Sequence, residues 1–239
     1  MEKNIFVPDE AVKYILFQRT AYLIYQNNIY LNSLVIRMPF FSYNRMVALE
    51  AFLFKKRIKR LFNKDIFDEY ERIKNYLPKR AFSILDIGCG VAGIDVLLYR
   101  HYQDKNLDIY LLDKTEVEDK VYYGLERKAA FYNSLEIAKN ILALNGVKES
   151  NIYSQEVKSG YKINFPVKFD LVISLISWGF HYPVDTYLDQ VYNLLNPGGT
   201  LIMDVRKGSG GEKLIKDKFG NAETIYEAQK HIRVIVRKK

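Results

Sequence analysis

A short apolar strand that runs directly into a glycine-rich turn is the feature that most restricts the fold of this chain. Residues Phe82–Ile87 are mostly apolar, and Gly88, Gly90 and Gly93 follow at once. A chain that turns this sharply needs glycine, because glycine adopts backbone conformations that a Cβ disfavours. A helix that begins behind such a turn points its partially positive N-terminus at a ligand. The turn therefore predicts a ligand site at the carboxyl end of a strand in an open α/β sheet.

The sequence after Ala81 alternates short apolar runs with amphipathic segments, which is typical of a parallel sheet with helices on both faces. Too few residues separate the last two runs for a helix, so we expect an antiparallel hairpin there. We predict an α/β fold with a seven-stranded, mostly parallel sheet and a C-terminal antiparallel hairpin. The predicted strands are 82–87, 108–112, 151–155, 169–174, 200–205, 222–227 and 231–237, and the predicted helices are about 92–102, 128–145, 185–195 and 211–219.

Residues 1–80 lack this alternation and are predicted to be helical. Apolar spacing predicts helices from about Pro8 to Tyr25, over about 45–62 and over about 66–76. We therefore divide the chain into an α-helical N-terminal extension, residues 1–80, and an α/β domain, residues 81–239. The extension holds 15 Lys and Arg against 8 Asp and Glu, and so carries most of the net charge of +8. Such a charge would attract an acidic ligand, nucleic acid or an anionic surface, but a solvated helix face explains it equally well.

Composition and the N-terminal sequence predict a cytoplasmic protein. Cys89 is the single cysteine of the 239 residues, which agrees with a reducing compartment. The start of the chain lacks the basic and apolar regions of a signal peptide. Polar residues interrupt the apolar stretch 11–36, so no transmembrane segment is expected. The three histidines are far apart and have no cysteine partners, so we expect no metal site.

The segment Leu85-Asp-Ile-Gly-Cys-Gly90 resembles the first motif of class I S-adenosylmethionine (SAM)-dependent methyltransferases. In that family the acid before the first glycine helps to place the methionine amino group of SAM, and the glycines line the methionine and the ribose. The resemblance implies SAM as the cofactor, held by Asp86, Gly88, Cys89, Gly90 and Gly93. A Gly-x-Gly-x-x-Gly turn alone would also suit nicotinamide and flavin enzymes.

Further matches to this family follow in the expected order. Asp113 ends the second strand, where the family has an acid that accepts hydrogen bonds from both ribose hydroxyls, and Lys114 lies beside it. Glu156 has the spacing of an acid that contacts adenine, although a solvated glutamate fits as well. Ser174 ends a fourth strand that resembles the family's fourth segment. The resemblance covers about residues 81–239 and leaves 1–80 unexplained. It therefore adds Asp113, Lys114, Glu156 and Ser174 to the predicted cofactor contacts.

The acceptor site is expected just beyond the fourth strand, in the loop Leu175–Pro183. His181 is the candidate general base, because imidazole titrates near neutrality. It could instead cap the next helix or pack over the cofactor. Aromatic faces suit sugar rings or bases, so the predicted acceptor contacts are Ser177, Trp178, Phe180 and Tyr182. The long link 114–133 adds Tyr122, Tyr123 and Asn133 as candidate cofactor or acceptor contacts.

The Ser177–Pro183 pattern resembles bacterial enzymes described as sugar O-methyltransferases, so we expect methylation of a hydroxyl on a sugar, a surface glycan or its precursor. The acceptor is a small molecule or glycan and could be anionic. The Asn/Asp-Pro-Pro-Tyr signature of amino-methylating enzymes is absent, since residues 174–177 read Ser-Leu-Ile-Ser. RNA methylation, a non-catalytic SAM-binding scaffold and, less favoured, a dehydrogenase are the alternatives. The N-terminal helices would cover the cofactor end of the sheet or form a homodimer interface.

Overall fold

The computed structural model describes residues 3–24, 43–114, 116–117, 132–158 and 160–239. Seven α-helices lie in these ranges: α1 Val12–Gln18, α2 Tyr43–Leu53, α3 Lys55–Ile73, α4 Gly93–Tyr102, α5 Leu135–Leu144, α6 Leu188–Leu194 and α7 Gly211–Phe219. The strands in the same ranges are β1 Ser83–Ile87, β2 Asp108–Asp113, β3 Glu116–Val117, β4 Tyr132–Asn133, β5 Ile152–Glu156, β6 Phe169–Ser174, β7 Ser177–Tyr182, β8 Leu195–Arg206, β9 Glu223–Glu227 and β10 His231–Arg237. No helix in this part of the chain combines the length and apolar character that crossing a bilayer requires.

The main sheet has seven strands in the order β5-β2-β1-β6-β8-β10-β9. Strands β5, β2, β1, β6 and β8 pair in parallel. Strand β10 is antiparallel to both β8 and β9, so the terminal hairpin inserts its second strand into the sheet. This confirms the predicted fold class. The chain reverses its direction of winding between β1 and β6, and ligands bind at such a point in open α/β sheets.

Successive side chains of the strands point to opposite faces of the sheet and belong to two hydrophobic clusters, one on each face. Ile84 of β1 packs in the first cluster, with residues of α3, α4 and α5. Leu85, the next residue, packs in the second cluster, with residues of α6 and α7. Both faces of the central strands are therefore buried, as expected for a parallel sheet.

The N-terminal helices differ in their boundaries from the prediction. The first predicted helix is interrupted at Arg19, where the backbone leaves the helical region at φ −127°, ψ 69°. Two helices were predicted over 45–62 and 66–76, with a break between them. The observed break is at Phe54, and α3 continues from Lys55 to Ile73. The apolar stripe explains the difference. Ile58, Phe62, Ile66, Tyr70 and Ile73 are buried along one side of α3 at helical spacing across the predicted break.

Two further segments depart from the sequence prediction. The helix predicted over 128–145 begins at Leu135, where the Ser134 hydroxyl accepts a hydrogen bond from the Ile137 N–H. Before it, β4 pairs with β3 in a small antiparallel sheet. The predicted acceptor loop after β6 contains the extended segment β7, which packs against β8.

Candidate functional site

A cavity of about 310 Å³ opens at the carboxyl ends of β1, β2 and β6. The glycine turn, Asp86, Asp113 and the start of β7 form its floor, and residues of α1, α3 and the Arg19–Thr20 link form its roof. Its size is in the range of small-molecule sites. The lining residues are Phe17, Gln18, Arg19, Thr20, Phe62, Ile66, Glu69, Asp86, Gly88, Cys89, Gly90, Val91, Gly93, Ile94, Asp113, Asn133, Val157, Leu175, Ile176, Ser177, His181 and Tyr182.

The glycines of the turn allow other parts of the protein to close over it. A Cβ on Gly88 would lie 1.7 Å from Ser177 Oγ, and one on Gly90 would lie 2.7 Å from Gln18 Oε1. A Cβ on Gly93 would lie 2.5 Å from Phe62 Cζ. From the sequence, these glycines are expected to let a ligand come close to the backbone. In the structure, protein side chains take the space beside each missing Cβ.

Asp113 ties the end of β2 to the glycine turn. Its Oδ2 accepts hydrogen bonds from Gly90 N at 2.8 Å and from Asn133 Nδ2 at 3.0 Å, and its Oδ1 accepts one from Lys114 N at 2.7 Å. Burial raises the pKa of Asp113 to about 6, although these donors favour the charged form. Oδ1 keeps a lone-pair direction for a hydroxyl donor, because a carboxylate offers about four such directions and three are taken by these donors.

Asp86 and Asp95 form a buried pair of carboxyl groups beneath the turn. Asp86 is the penultimate residue of β1 and is 3% exposed, and Asp95 lies in the first turn of α4 and is 0% exposed. Burial and then the charge of Asp95 raise the pKa of Asp86, and burial raises the pKa of Asp95 to about 7. Among the described residues, neither oxygen of Asp95 has a partner with hydrogen-bond geometry. Two acids held this close favour a shared proton or a nearby cation.

Two of the acceptor contacts predicted from the sequence, Trp178 and Phe180, have to be corrected. Trp178 is completely buried, its Nε1 donates to the Val184 carbonyl at 2.9 Å, and it packs against Tyr187. Phe180 is covered by the guanidinium of Arg206, 4.4 Å from the ring centroid. Neither lines the cavity. The two side chains fill space beside the sheet because β7 packs against β8, which a loop prediction cannot supply.

Ser177, His181 and Tyr182 are the predicted acceptor residues that do reach the cavity. Ser177 Oγ lies 3.5 Å from the Tyr182 hydroxyl, and burial raises the pKa of that hydroxyl. His181 is half-buried. Burial and then the Arg206 guanidinium lower the pKa of His181 to about 4, so the imidazole is neutral near pH 7.

Other predicted contacts lie outside the cavity lining. Ser174 is buried, donates to the Ile87 carbonyl at 2.7 Å and accepts from Trp178 N at 3.0 Å, so it fixes the chain after β6. Glu156 is exposed at the end of β5, whereas the next residue, Val157, lines the cavity. Lys114 meets Asp113 through its backbone N–H. Tyr122 and Tyr123 lie outside the described residues.

Sequence reasoning missed the individual residues that the N-terminal region contributes. Gln18 Nε2 lies 3.4 Å from Asn133 Oδ1, so α1 joins the Asp113 cluster. Arg19 Nη1 is 3.7 Å from Asp65 Oδ2, an oxygen to which the Tyr22 hydroxyl donates at 2.6 Å. Glu69 reaches the other side of the cavity. Their helices carry ordinary amphipathic patterns, so only the packing of α1 on α3 and β4, and of α3 on α4, identifies them.

Comparison with solved structures gives the same fold. The 16S rRNA N2 G1207 methyltransferase RsmC of T. thermophilus, solved with AdoMet and guanosine, matches with a TM-score of 0.50 and 15% identity over 73% of this chain and 43% of that chain. A Nostoc punctiforme PCC 73102 protein, provisionally assigned as an O-methyltransferase, matches with a TM-score of 0.53 and 14% identity over 95% of this chain and 72% of that chain. The chain therefore spans less than half of RsmC.

No protein-family model matches the chain, and neither does any curated protein sequence. The fold is that of class I SAM-dependent methyltransferases. Within the described ranges, no group of three or more His, Cys, Asp or Glu side chains could hold a metal ion.

Proposed function

We propose that this protein binds SAM in the cavity and transfers its methyl group to a hydroxyl of a sugar, a glycan or a glycan precursor. The observation that supports SAM binding is the charge of the cavity. Three carboxyl-bearing residues, Glu69, Asp86 and Asp113, line it together with one guanidinium, that of Arg19, among the described residues. SAM has a cationic ammonium, a cationic sulfonium and one carboxylate, so the charges are complementary.

Each part of the cofactor has a residue suited to it. Asp113 accepts a hydrogen bond from a ribose hydroxyl with the remaining lone pair of Oδ1. Asp86, backed by Asp95, holds the ammonium, and Arg19 pairs with the carboxylate. Val157, whose N–H bonds the Asp113 carbonyl at 2.9 Å, offers an apolar wall to the adenine. When bound, SAM supplies an electrophilic methyl group.

The loop after β6 then forms the acceptor side. Ser177 and Tyr182 orient the acceptor hydroxyl by hydrogen bonds, and His181 takes its proton through the neutral imidazole. The low pKa of His181 keeps the base available over a wide pH range, but it also makes the base weak. The helices α1 and α3 act as a cap, because Gln18 packs on Gly90 and Phe62 packs on Gly93.

RNA is the second acceptor class, and the positive charge of residues 1–80 favours it. A protein that grips phosphate loses affinity steeply as salt rises, whereas recognition of a neutral sugar does not. A SAM-binding scaffold without transferase activity is the third hypothesis. Tight SAM binding without methylation of any cell fraction would support that hypothesis.

The test is methyl transfer from labelled SAM to a cell extract divided into glycan, RNA, protein and small-molecule pools. We expect label in the glycan or small-molecule pool and none when Asp86→Asn replaces the wild type. Asp217→Asn, an exposed change on α7, is the matched control and should label like the wild type. Label confined to RNA, with a steep salt dependence, would replace the sugar acceptor by RNA.

Calorimetry with S-adenosylhomocysteine (SAH) tests the cofactor separately. Absence of SAH binding would refute the proposal, and NADH binding in its place would favour a dehydrogenase.

A further inference from the structure

A strained residue at the edge of the cavity is held by a buried ion pair between β8 and β10. Ile176 has φ +51°, a conformation that a β-branched residue adopts only under constraint. Its N–H donates to Asp204 Oδ2 at 3.1 Å. Ile176 and its neighbours Leu175 and Ser177 all line the cavity. The carboxylate of Asp204 therefore fixes the backbone that carries the acceptor side of the site.

Asp204 is itself fixed by Arg233 of the neighbouring strand. The two residues are directly opposite in the β8–β10 pairing, and both are 0% exposed. Arg233 Nε lies 2.8 Å from Asp204 Oδ1, and Arg233 Nη2 lies 2.8 Å from Oδ2, so the contact is bidentate. A completely buried pair of this kind does not generally stabilise a fold more than apolar residues would. The pair is more simply explained by what it holds in place.

The same arginine connects the pair to the N-terminal helices. Its Nη1 lies 2.6 Å from Glu69 Oε2 of α3, an ion pair without hydrogen-bond geometry. Glu69 Oε1 accepts a hydrogen bond from Arg72 at 2.7 Å. His231 Nε2 lies 3.8 Å from Asp204 Oδ1, but burial lowers the pKa of His231, so its ring is neutral near pH 7. The series Glu69, Arg233, Asp204, Ile176 therefore runs from α3 through β10 and β8 to the edge of the cavity.

We propose that Asp204 and Arg233 are positioning residues for methyl transfer, which hold Leu175–Ser177 in the strained conformation that the acceptor requires and tie it to α3 through Glu69. This inference rests on the proposed function for its catalytic readout. Neither residue lines the cavity. Their removal should therefore lower the rate of transfer and leave cofactor affinity unchanged.

The test replaces the pair by apolar residues, Asp204→Leu with Arg233→Met, so that neither member of the pair is left buried without the other, and Glu69 keeps its hydrogen bond from Arg72. We expect SAH affinity within about threefold of wild type, hydrogen exchange of the Ile176 amide at least about tenfold faster, and methyl transfer at least about tenfold slower in kcat. Val234→Ala is the control, because it disturbs the next residue of β10 in the core without touching the loop. It should leave exchange at Ile176 unchanged relative to its neighbours.

Ile176→Gly in the double variant separates positioning from general damage. Glycine adopts positive φ without strain, so the loop should keep its conformation without Asp204, and much of the lost transfer should return. Loss of transfer that glycine does not restore would overturn the inference, as would weaker SAH binding or unchanged exchange at Ile176 in the double variant. Wild-type protein that binds no SAH would refute the proposed function instead, and the exchange measurement would still decide whether Asp204 holds the loop.

Discussion

The carboxylate of Asp113 accepts a 2.8 Å hydrogen bond from the backbone N–H of Gly90, so the end of β2 is joined to the turn after β1. Asn133 donates to the same oxygen at 3.0 Å, and Gln18 reaches Asn133. One acid therefore organises the turn and faces the cavity. A substitution there should affect binding even where the fold survives.

Asp113→Asn should weaken SAH binding by at least about tenfold. The amide keeps one acceptor oxygen but loses the charge, and charged hydrogen bonds are roughly twice as strong as neutral ones. Asp108→Asn, at the other end of β2, is the control and should bind SAH like the wild type. Calorimetry at constant pH measures both variants, and equal affinities would show that Asp113 does not contact the ligand.

Gly93→Ala should destabilise the protein by about 1–3 kcal/mol, because the new Cβ would overlap Phe62. The effect is steric, since Gly93 begins α4 with an ordinary helical backbone. Phe62→Leu in the same chain makes room, so the two substitutions together should cost less than the sum of each alone. Urea unfolding of the four proteins measures this coupling. Strict additivity would mean that α3 is not seated on the turn.

The buried pair Asp86 and Asp95 should make stability and cofactor affinity depend on pH in opposite ways. The folded pKa of Asp95, about 7, lies above the ordinary value of 3.8 for an aspartate, so the folded state binds more protons between these values. Stability of the free protein should therefore fall as pH rises from about 4 to about 7. A bound ammonium favours the ionised pair, so SAH affinity should rise over the same range and level off above it.

Asp95→Asn should make both pH profiles shallower, because one of the buried carboxyl groups with a raised pKa is gone, while Asp86 and Asp113 remain. Chemical unfolding and SAH calorimetry at pH 5, 6, 7 and 8 make the comparison with wild type, and Asp217→Asn serves as the control. Profiles that keep the wild-type slopes in Asp95→Asn would assign the pH dependence to other groups.

His181→Ala should reduce methyl transfer by about 100-fold or more if the imidazole removes the acceptor proton. SAH affinity should stay the same. In the wild type the rate should not fall between pH 8 and 6 on account of His181, because its pKa lies near 4 and the ring stays neutral. Transfer of label to the acceptor pool gives the rate. His101→Ala, which removes a hydrogen bond to Tyr70 far along α4, is the matched control. Unchanged turnover in His181→Ala would leave His181 with a packing role.

The α/β part of the fold follows from short-range patterns and was predicted closely. Buried parallel strands read as apolar runs, and the hairpin of β9 and β10 follows from the short distance between two such runs. The observed strand Phe169–Ser174 has the predicted bounds, and so does the helix Gly211–Phe219. The N-terminal helix boundaries were less accurate, because amphipathic periodicity continues through Phe62 and Ile66 and does not mark the end of a helix.

The candidate site was only partly predictable. Asp86, Asp113 and the glycines follow strands directly, so their place at the edge of the sheet depends on local sequence. Whether Trp178 and Phe180 line the cavity depends on the direction of each side chain, which is set by the packing of β7 against β8. Asp95 gives no signal in the sequence beyond an acid in the first turn of a helix, and its pairing with Asp86 exists only after α4 packs on β1.

The sequence by itself determined the sheet, its terminal hairpin and the turn that faces the cavity, because each depends on residues within one strand or one connection. The tertiary structure decided what covers that turn and what holds the acceptor loop. Phe62 on Gly93 and Asp204 on Ile176 join elements distant along the chain. Such contacts arise from the packing of complete helices and strands, which no local pattern of residues specifies.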